Sequence, residues 1–222
     1  MGGTKDSKSA ERPEQISKIS DLLKPVRSSE GSPWEGAAVE VFRMDGPTSV
    51  SAVSFDDLYV AVIRDGGGIA WADGAPGGRS FSAGDVGIFP RGVAHGASSN
   101  GAIAATSIYL KPSLIEKAAA DLVNPDRVEI VPQLVVPDKQ VKRLSLALEW
   151  ELEDGFKSGR LLGESLGTAL AAHLLARYAV SPMRIREYRG GMPKYLLRRT
   201  VDYMQSNLGA DLPLTNLQQM WG

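Results

Sequence analysis

The sequence predicts an α+β chain in which a strand-rich half precedes a helical half. Three observations carry this. Between residues 38 and 111, short β-branched and aromatic runs alternate with glycine and aspartate clusters such as Asp65-Gly66-Gly67-Gly68 and Asp73-Gly74, the pattern of a small sandwich or barrel with tight turns. After Leu110, apolar residues recur at three- and four-residue spacing, the helical period. The end of the chain is basic: residues 183–222 hold six basic and three acidic side chains, a net of +3 that leaves −4 for the rest of a chain of net charge −1.

Taken in order, residues 1–15 are rich in Gly, Ser, Lys and Glu and read as a disordered tail. Ile16, Ile19, Leu22, Leu23 and Val26 predict a short amphipathic helix stopped near Pro25. A turn-rich link covers 28–36, and strands are expected over 38–44, 58–64, 68–72, 86–89 and 103–110. Pro112 opens a helix for which Ser113 is available as a cap, and 128–137 reads as an irregular or extended link. Two longer helices follow. Val141, Leu144, Leu148 and Leu152 make one stripe, with Trp150 off it; Leu162, Leu166, Ala169, Leu170, His173, Leu174 and Tyr178 make another. The first fifteen residues thus form a tail, 16–180 a first domain, 181–193 a linker with Pro182, Gly190 and Gly191, and 194–222 a second, basic helical module.

Composition excludes several chemistries. Hydrophobic residues are 43% and charged residues 23%, as in a soluble globular protein. The first residues are polar, with no signal-peptide core, and no run approaches the roughly 18 apolar residues of a membrane span, so the cytoplasm is the expected compartment. With no cysteine, disulfides, thiolate metal sites and cysteine nucleophiles are excluded. Gly66-Gly67-Gly68 lacks the Lys and Ser/Thr of a phosphate loop, and there is no nucleophile elbow.

The stretch Gly84-Asp85-Val86-Gly87-Ile88-Phe89-Pro90-Arg91-Gly92-Val93-Ala94-His95 has glycines and a proline placed to turn the chain into and out of a strand, and a histidine aimed inward. It resembles the second cupin motif, G-x5-P-x-G-x2-H, which implies a cupin-like barrel or sandwich. A metal-bearing cupin needs about three converging ligands; this chain has two histidines in all, and the expected first-motif region, 61–71, has none. No metal, no cofactor and no enzymatic activity are therefore expected. His95 either fixes its turn by a hydrogen bond or offers a small ligand a polar contact. Tyr59, Trp71, Tyr109 and Arg91 are the other candidate pocket residues, each with a plainer role in the core or on the surface. His173, on an apolar helix stripe, reads as a structural histidine.

The last stretch has a linker, Gly190-Gly191-Met192-Pro193, then Leu197-Arg198-Arg199, Asp202-Tyr203, Asn207-Leu208, Asp211-Leu212 and a run through Leu214, Leu217 and Gly222. In that order these pieces resemble the start of the DNA-binding domain of the AraC family of transcription regulators, and 159–178 resembles that family's dimerisation helices. The resemblance implies a homodimer that senses a small-molecule effector through its cupin-like domain, followed by the first helices of a helix-turn-helix domain. The recognition helix would begin beyond Gly222, so Lys194, Arg198 and Arg199 are expected to touch DNA phosphates only, giving weak, sequence-blind binding. No membrane contact is expected. A ligand-binding, dimerising module acting on an intact relative is the alternative, and a cupin enzyme a third possibility.

Overall fold

Which way a strand side chain faces follows from a period of two, and in this chain two sheets and a layer of helices compete for those faces. The computed structural model describes residues 13–75, 77–120 and 129–180. Eleven strands are found there: β1 Glu14–Gln15, β2 Arg27–Ser28, β3 Ala37–Met44, β4 Thr48–Ser54, β5 Leu58–Asp65, β6 Gly67–Ala72, β7 Arg79–Ser82, β8 Val86–Phe89, β9 His95–Ser99, β10 Ile103–Leu110 and β11 Gln133–Val136. Three helices accompany them: α1 Pro112–Ala119, α2 Lys139–Glu153 and α3 Gly159–Tyr178. The strands form a five-stranded sheet, β1-β4-β9-β6-β7, and a six-stranded sheet, β11-β8-β5-β10-β3-β2. Every pairing is antiparallel except β1 with β4.

The six-stranded sheet is covered on both faces. Val39, Val60, Val62, Ile88, Ile108 and Leu110 turn to the helices, where Leu148, Leu170 and Leu174 meet them, all nine fully buried. Their strand neighbours Phe42, Tyr59, Ile63, Phe89, Ile103 and Tyr109 turn to the other sheet, packing with Val53, Phe55, Ala70 and Phe81. Burial on both sides explains why β5 and β8 read as nearly continuous apolar runs. The five-stranded sheet has one face outward, and β4 shows the alternation that this produces.

All five expected strands form, within one residue of the expected bounds. Six strands are additional: the two-residue β1 and β2, and β4 (TSVSAVS), β7 (RSFS), β9 (HGASS) and β11 (QLVV). In β4, β7 and β9 the apolar side chains are few or small, so their alternation carries little hydrophobic signal; β11 is apolar but only four residues long, within the expected irregular or extended link 128–137.

The N-terminal segment departs from expectation twice. Glu14–Gln15 is already a strand, with Gln15 bonded to Asp56 at 2.9 Å, so order begins inside the expected tail; residues 1–12 lie outside the described residues. The expected helix from Ile16 is a single 3-10 turn at Ile19–Asp21. Its backbone donors are taken by side chains: Asp21 accepts from the N–H groups of Ser17 and Lys18 at 2.9 and 3.1 Å, and Tyr109 Oη accepts from Ile19 N–H at 2.7 Å. Such local bonds compete with helix growth, and Pro25 bars continuation.

Helix α1 starts with Pro112 in its first turn after Lys111, and Ser113 does not cap it. Helix α2 buries Val141, Leu148 and Leu152 and leaves Trp150 77% exposed, as its stripe predicts. Its cap is Asp138, whose Oδ1 accepts from Gln140 N–H and Val141 N–H at 2.9 and 3.0 Å. The other oxygen, Oδ2, accepts from Tyr178 Oη at 2.7 Å and meets His173 Nε2 at 2.8 Å. Burial works against the charge, but the bonds from His173, Val141 and Tyr178 outweigh it and hold the carboxyl at about 2. His173 thus joins α3 to the start of α2, the structural role expected of it.

Helix α3 is rotated from its expected stripe. Its buried face is Gly163, Gly167, Leu170, Ala171, Leu174 and Leu175, while Leu162 and Ala169 are exposed. Glycine sets this face. A Cβ on Gly163 would lie 2.3–2.4 Å from the Trp34 ring, and one on Gly167 would lie 3.0 Å from Ala37 Cβ. Bare backbone lets the helix close on them. The linker 181–193 and the module 194–222, including Lys194, Arg198 and Arg199, lie outside the described residues.

Candidate ligand site

The site grows from the turn between β8 and β9. Gly84 (φ +97°) leads into β8, and Gly92 (φ +74°) leads out, both in the left-handed region that favours glycine. Gly92 N–H donates to the Phe55 carbonyl at 2.9 Å, and Val93 N–H to the Pro90 carbonyl at 3.1 Å. The turn is thereby fixed, and His95 enters β9 between Val53 of β4 and Ala72 of β6.

The His95 ring lies flat on Phe89, centroids 3.8 Å apart and planes 6° from parallel, with Tyr59 stacked at 5.2 Å and Phe55 tilted by 46° at 5.5 Å. Its Nδ1 is 3.1 Å from the Val93 carbonyl. A carbonyl only accepts, so Nδ1 carries the proton, and in the neutral ring Nε2 presents a lone pair. Nε2 is buried without a partner. Burial disfavours the imidazolium, and the ring's pKa falls to about 4 despite the Val93 bond. His95 is neutral at pH 7.

Between the sheets, beside this ring, is a cavity of about 120 Å³. Its wall is apolar: Phe42, Val50, Ile63, Phe81, Ile103 and Leu134 line it, with Ile19 and Leu23 of the N-terminal segment. Polar groups on the wall are mostly spoken for. Tyr59 Oη and Ser107 Oγ bond each other at 3.0 Å, Asp85 accepts from Ser82 N–H and Oγ at 2.8 and 3.1 Å, and Ser99 Oγ donates to the Gly67 carbonyl at 2.8 Å. Burial raises the Tyr59 phenol to about 12, so it stays protonated.

Of the five expected pocket residues, Tyr59 and His95 meet at the cavity. Tyr109 is one layer behind, its ring 5.4 Å from that of Tyr59 and its hydroxyl engaged with Glu40 and Ile19; burial, then Tyr59 and Glu40, push its pKa up. Trp71 is outside. Ala70 and Ala72 take the inward positions of β6, so Trp71 faces out and covers Gly96, where a Cβ would lie 2.5 Å from its ring. Arg91 is at the surface, 68% exposed and 3.4 Å from Asp56, because the turn that aims His95 inward sends the Arg91 side chain to solvent.

One buried residue had no signal beyond its parity. Glu40 sits at an inward position of β3, 1% exposed. Its Oε2 accepts from Tyr109 Oη at 2.8 Å and from Ser20 N–H at 3.3 Å, and its Oε1 has no partner. The strand pattern AAVEVFRM betrays it only as a charge at an even, core-facing position.

A cupin-type metal does not fit these residues. The ring neighbours of His95 are Phe55, Tyr59 and Phe89, and among the described residues no group of three or more His, Asp or Glu side chains could hold an ion. None of the described helices is long and apolar enough to cross a membrane.

No family model matches this chain, and no curated protein matches it. Among solved structures it is similar to a cupin superfamily protein from Desulfitobacterium hafniense, with 18% identity over 35% of this chain and 69% of the other and a TM-score of 0.32. A conserved protein of unknown function from Streptococcus pyogenes gives 18% identity, 35% and 67% coverage and 0.32. Oxalate decarboxylase from Bacillus subtilis gives 17% identity, 36% and 22% coverage and 0.32. Likeness of this extent assigns none of their activities to this chain.

Proposed function

We propose that this chain is a small-molecule-responsive transcription regulator of the AraC type, with a cupin-like sensor in its first 180 residues. One observation carries the sensor: a cavity between two sheets, apolar on nearly all sides, whose wall includes the neutral ring of His95. A concave apolar site with few polar handles is the usual form of a small-ligand pocket. The regulatory half of the reading is supported by the basic segment and its ordered family motifs. A ligand that binds one arrangement of a dimer better than another shifts the population toward it.

Self-association is assigned to the outward side of α2. Leu146 and Trp150 are one turn apart there, 46% and 77% exposed, a large apolar pair for a monomer to leave in water. Sedimentation of the full chain is expected to give a dimer, and Trp150→Glu a monomer.

Fluorescence anisotropy with a labelled duplex tests the DNA role. Contacts from Lys194, Arg198 and Arg199 predict log K falling against log salt with a slope of about −3, and replacing all three with Ala should flatten it. No binding at low salt would remove the DNA role and leave a ligand-binding module that acts on a partner chain.

A further inference from the structure

Helix α2 carries a second pattern besides the stripe that it buries. Lys139, Arg143, Leu146, Trp150 and Glu153 are all exposed, at intervals of four, three, four and three residues, so they share one outward seam. The seam is ordered by chemistry: two cations in its first half, two large apolar side chains at its centre, and an anion at its end, with exposed Asp154 beside it. That order opposes what a lone helix favours. The macrodipole draws anions to the first turn and cations to the last, whereas α2 has no acidic residue in its first turn and no basic one in its last.

Within the chain, Glu153 pairs with Arg27, and the two side chains are 48% and 51% exposed. An ion pair so open to water contributes little, so Glu153 is available to a second cation. Turned end for end, the seam complements itself. A two-fold axis midway between Leu146 and Trp150 sets Leu146 against the partner's Trp150 and Arg143 against the partner's Glu153, since 143 and 153 are equally far from that midpoint. Every contact then occurs twice, as in any isologous interface. A parallel pairing would set Arg143 against the partner's Arg143 and Glu153 against the partner's Glu153, two repulsions in place of two attractions.

From this complementarity we infer that α2 packs antiparallel on α2 of a second copy of this chain, with Leu146 and Trp150 at the centre and reciprocal ion pairs between Arg143 and the partner's Glu153 flanking them. This arrangement rests on the self-association through α2 proposed above and adds its orientation and register. Trp150, 77% exposed in the single chain, becomes the central anchor, a role in which tryptophan recurs at interfaces. The charges set direction: they admit one orientation and penalise the other.

Sedimentation equilibrium of the full chain tests it with Arg143→Glu, Glu153→Arg, both substitutions in one chain, and an equimolar mixture of the two single variants. Each single variant alone replaces two attractions with two repulsions and should raise the dimer dissociation constant at least about tenfold. The mixture re-forms one natural and one reversed pair, and the double variant re-forms two reversed pairs, so both should dimerise within about threefold of the natural chain. Because Arg27 stands beside position 153 in every chain, a disturbance of that pair cannot produce the rescue. Single variants that dimerise as tightly as the natural chain would overturn the antiparallel register, as would weakened ones that neither the mixture nor the double variant restores; if Trp150→Glu is nonetheless monomeric, self-association through α2 stands. A natural chain that stays monomeric at every concentration would remove the self-association itself, and the register with it.

Discussion

The two faces of the six-stranded sheet are built from alternate residues of the same strands, yet they differ in kind. The face toward the helices is aliphatic and closed: Val60, Val62, Ile88, Ile108 and Leu110 have no exposure and meet leucines of α2 and α3. The face toward the second sheet is aromatic and contains the cavity; buried polar atoms without a partner occur on both sides, Glu40 Oε1 and His95 Nε2 here, Trp34 Nε1 and Glu151 Oε2 toward the helices. Close packing gives stability, and incomplete packing gives a place to bind. One strand thus serves both purposes by parity: Val60 and Val62 anchor, while Tyr59, Ala61 and Ile63 line.

The sharpest way to break this contrast is to damage the closed face. Leu170→Ala, at a position with no exposure, should cost about 3 kcal/mol in urea unfolding, within the roughly 2–5 kcal/mol of buried leucine truncations. A cost under about 1 kcal/mol would mean that the helix layer is not closely packed.

Next is pH. The fold lowers the pKa of His95 from 6.5 to about 4, so the native state prefers the neutral ring. Its contribution is complete above pH 6.5 and lost as pH falls toward 4, because the unfolded chain takes up a proton that the native chain refuses. The loss should approach about 3 kcal/mol, and His95→Phe should flatten it. The depressed carboxyl of Asp138 acts at lower pH, its contribution being lost between 3.8 and about 2, so the two are separable in an acid titration of stability.

Gly163→Ala should cost about 2 kcal/mol, since the new methyl would collide with the Trp34 ring at 2.3–2.4 Å; the thermal midpoint reads this directly. The smallest effect has the opposite sign. Ala97→Val, on the cavity wall, should fill space and stabilise by about 0.5–1 kcal/mol while weakening the binding of any cavity ligand. Destabilisation would show the open face to be as tightly packed as the other.

Strands buried on both sides were legible because their apolar runs are dense, as in LYVAVIRD, and β4 and β9 were not because serines and glycines fill their outward positions. The spacing from Gly84 to His95 revealed the histidine, since glycine and proline must sit where the chain turns. Parity defeated the rest. Trp71 has the composition of a pocket residue, but whether it faces in depends on the register that pairs it with Gly96, which no local pattern reveals. On α3, hydrophobicity pointed to Leu162, whereas Gly163 and Gly167 face the core because their missing side chains admit Trp34, Ala37 and Leu114. Glu40 is a charge where the alternation calls for an apolar residue, a signal visible only once β3 is known to face the cavity.

Alanine methyl NMR tests the division of labour most directly, because alanines mark both faces. Ala61, Ala70, Ala97 and Ala105 line the cavity, and Ala37, Ala119 and Ala171 pack under the helices. On titration with benzene, the methyl resonances of the first group should move in a saturable way and those of the second should stay. Shifts centred on Ala37, Ala119 and Ala171, or none in either group, would contradict the assignment of binding to the aromatic face.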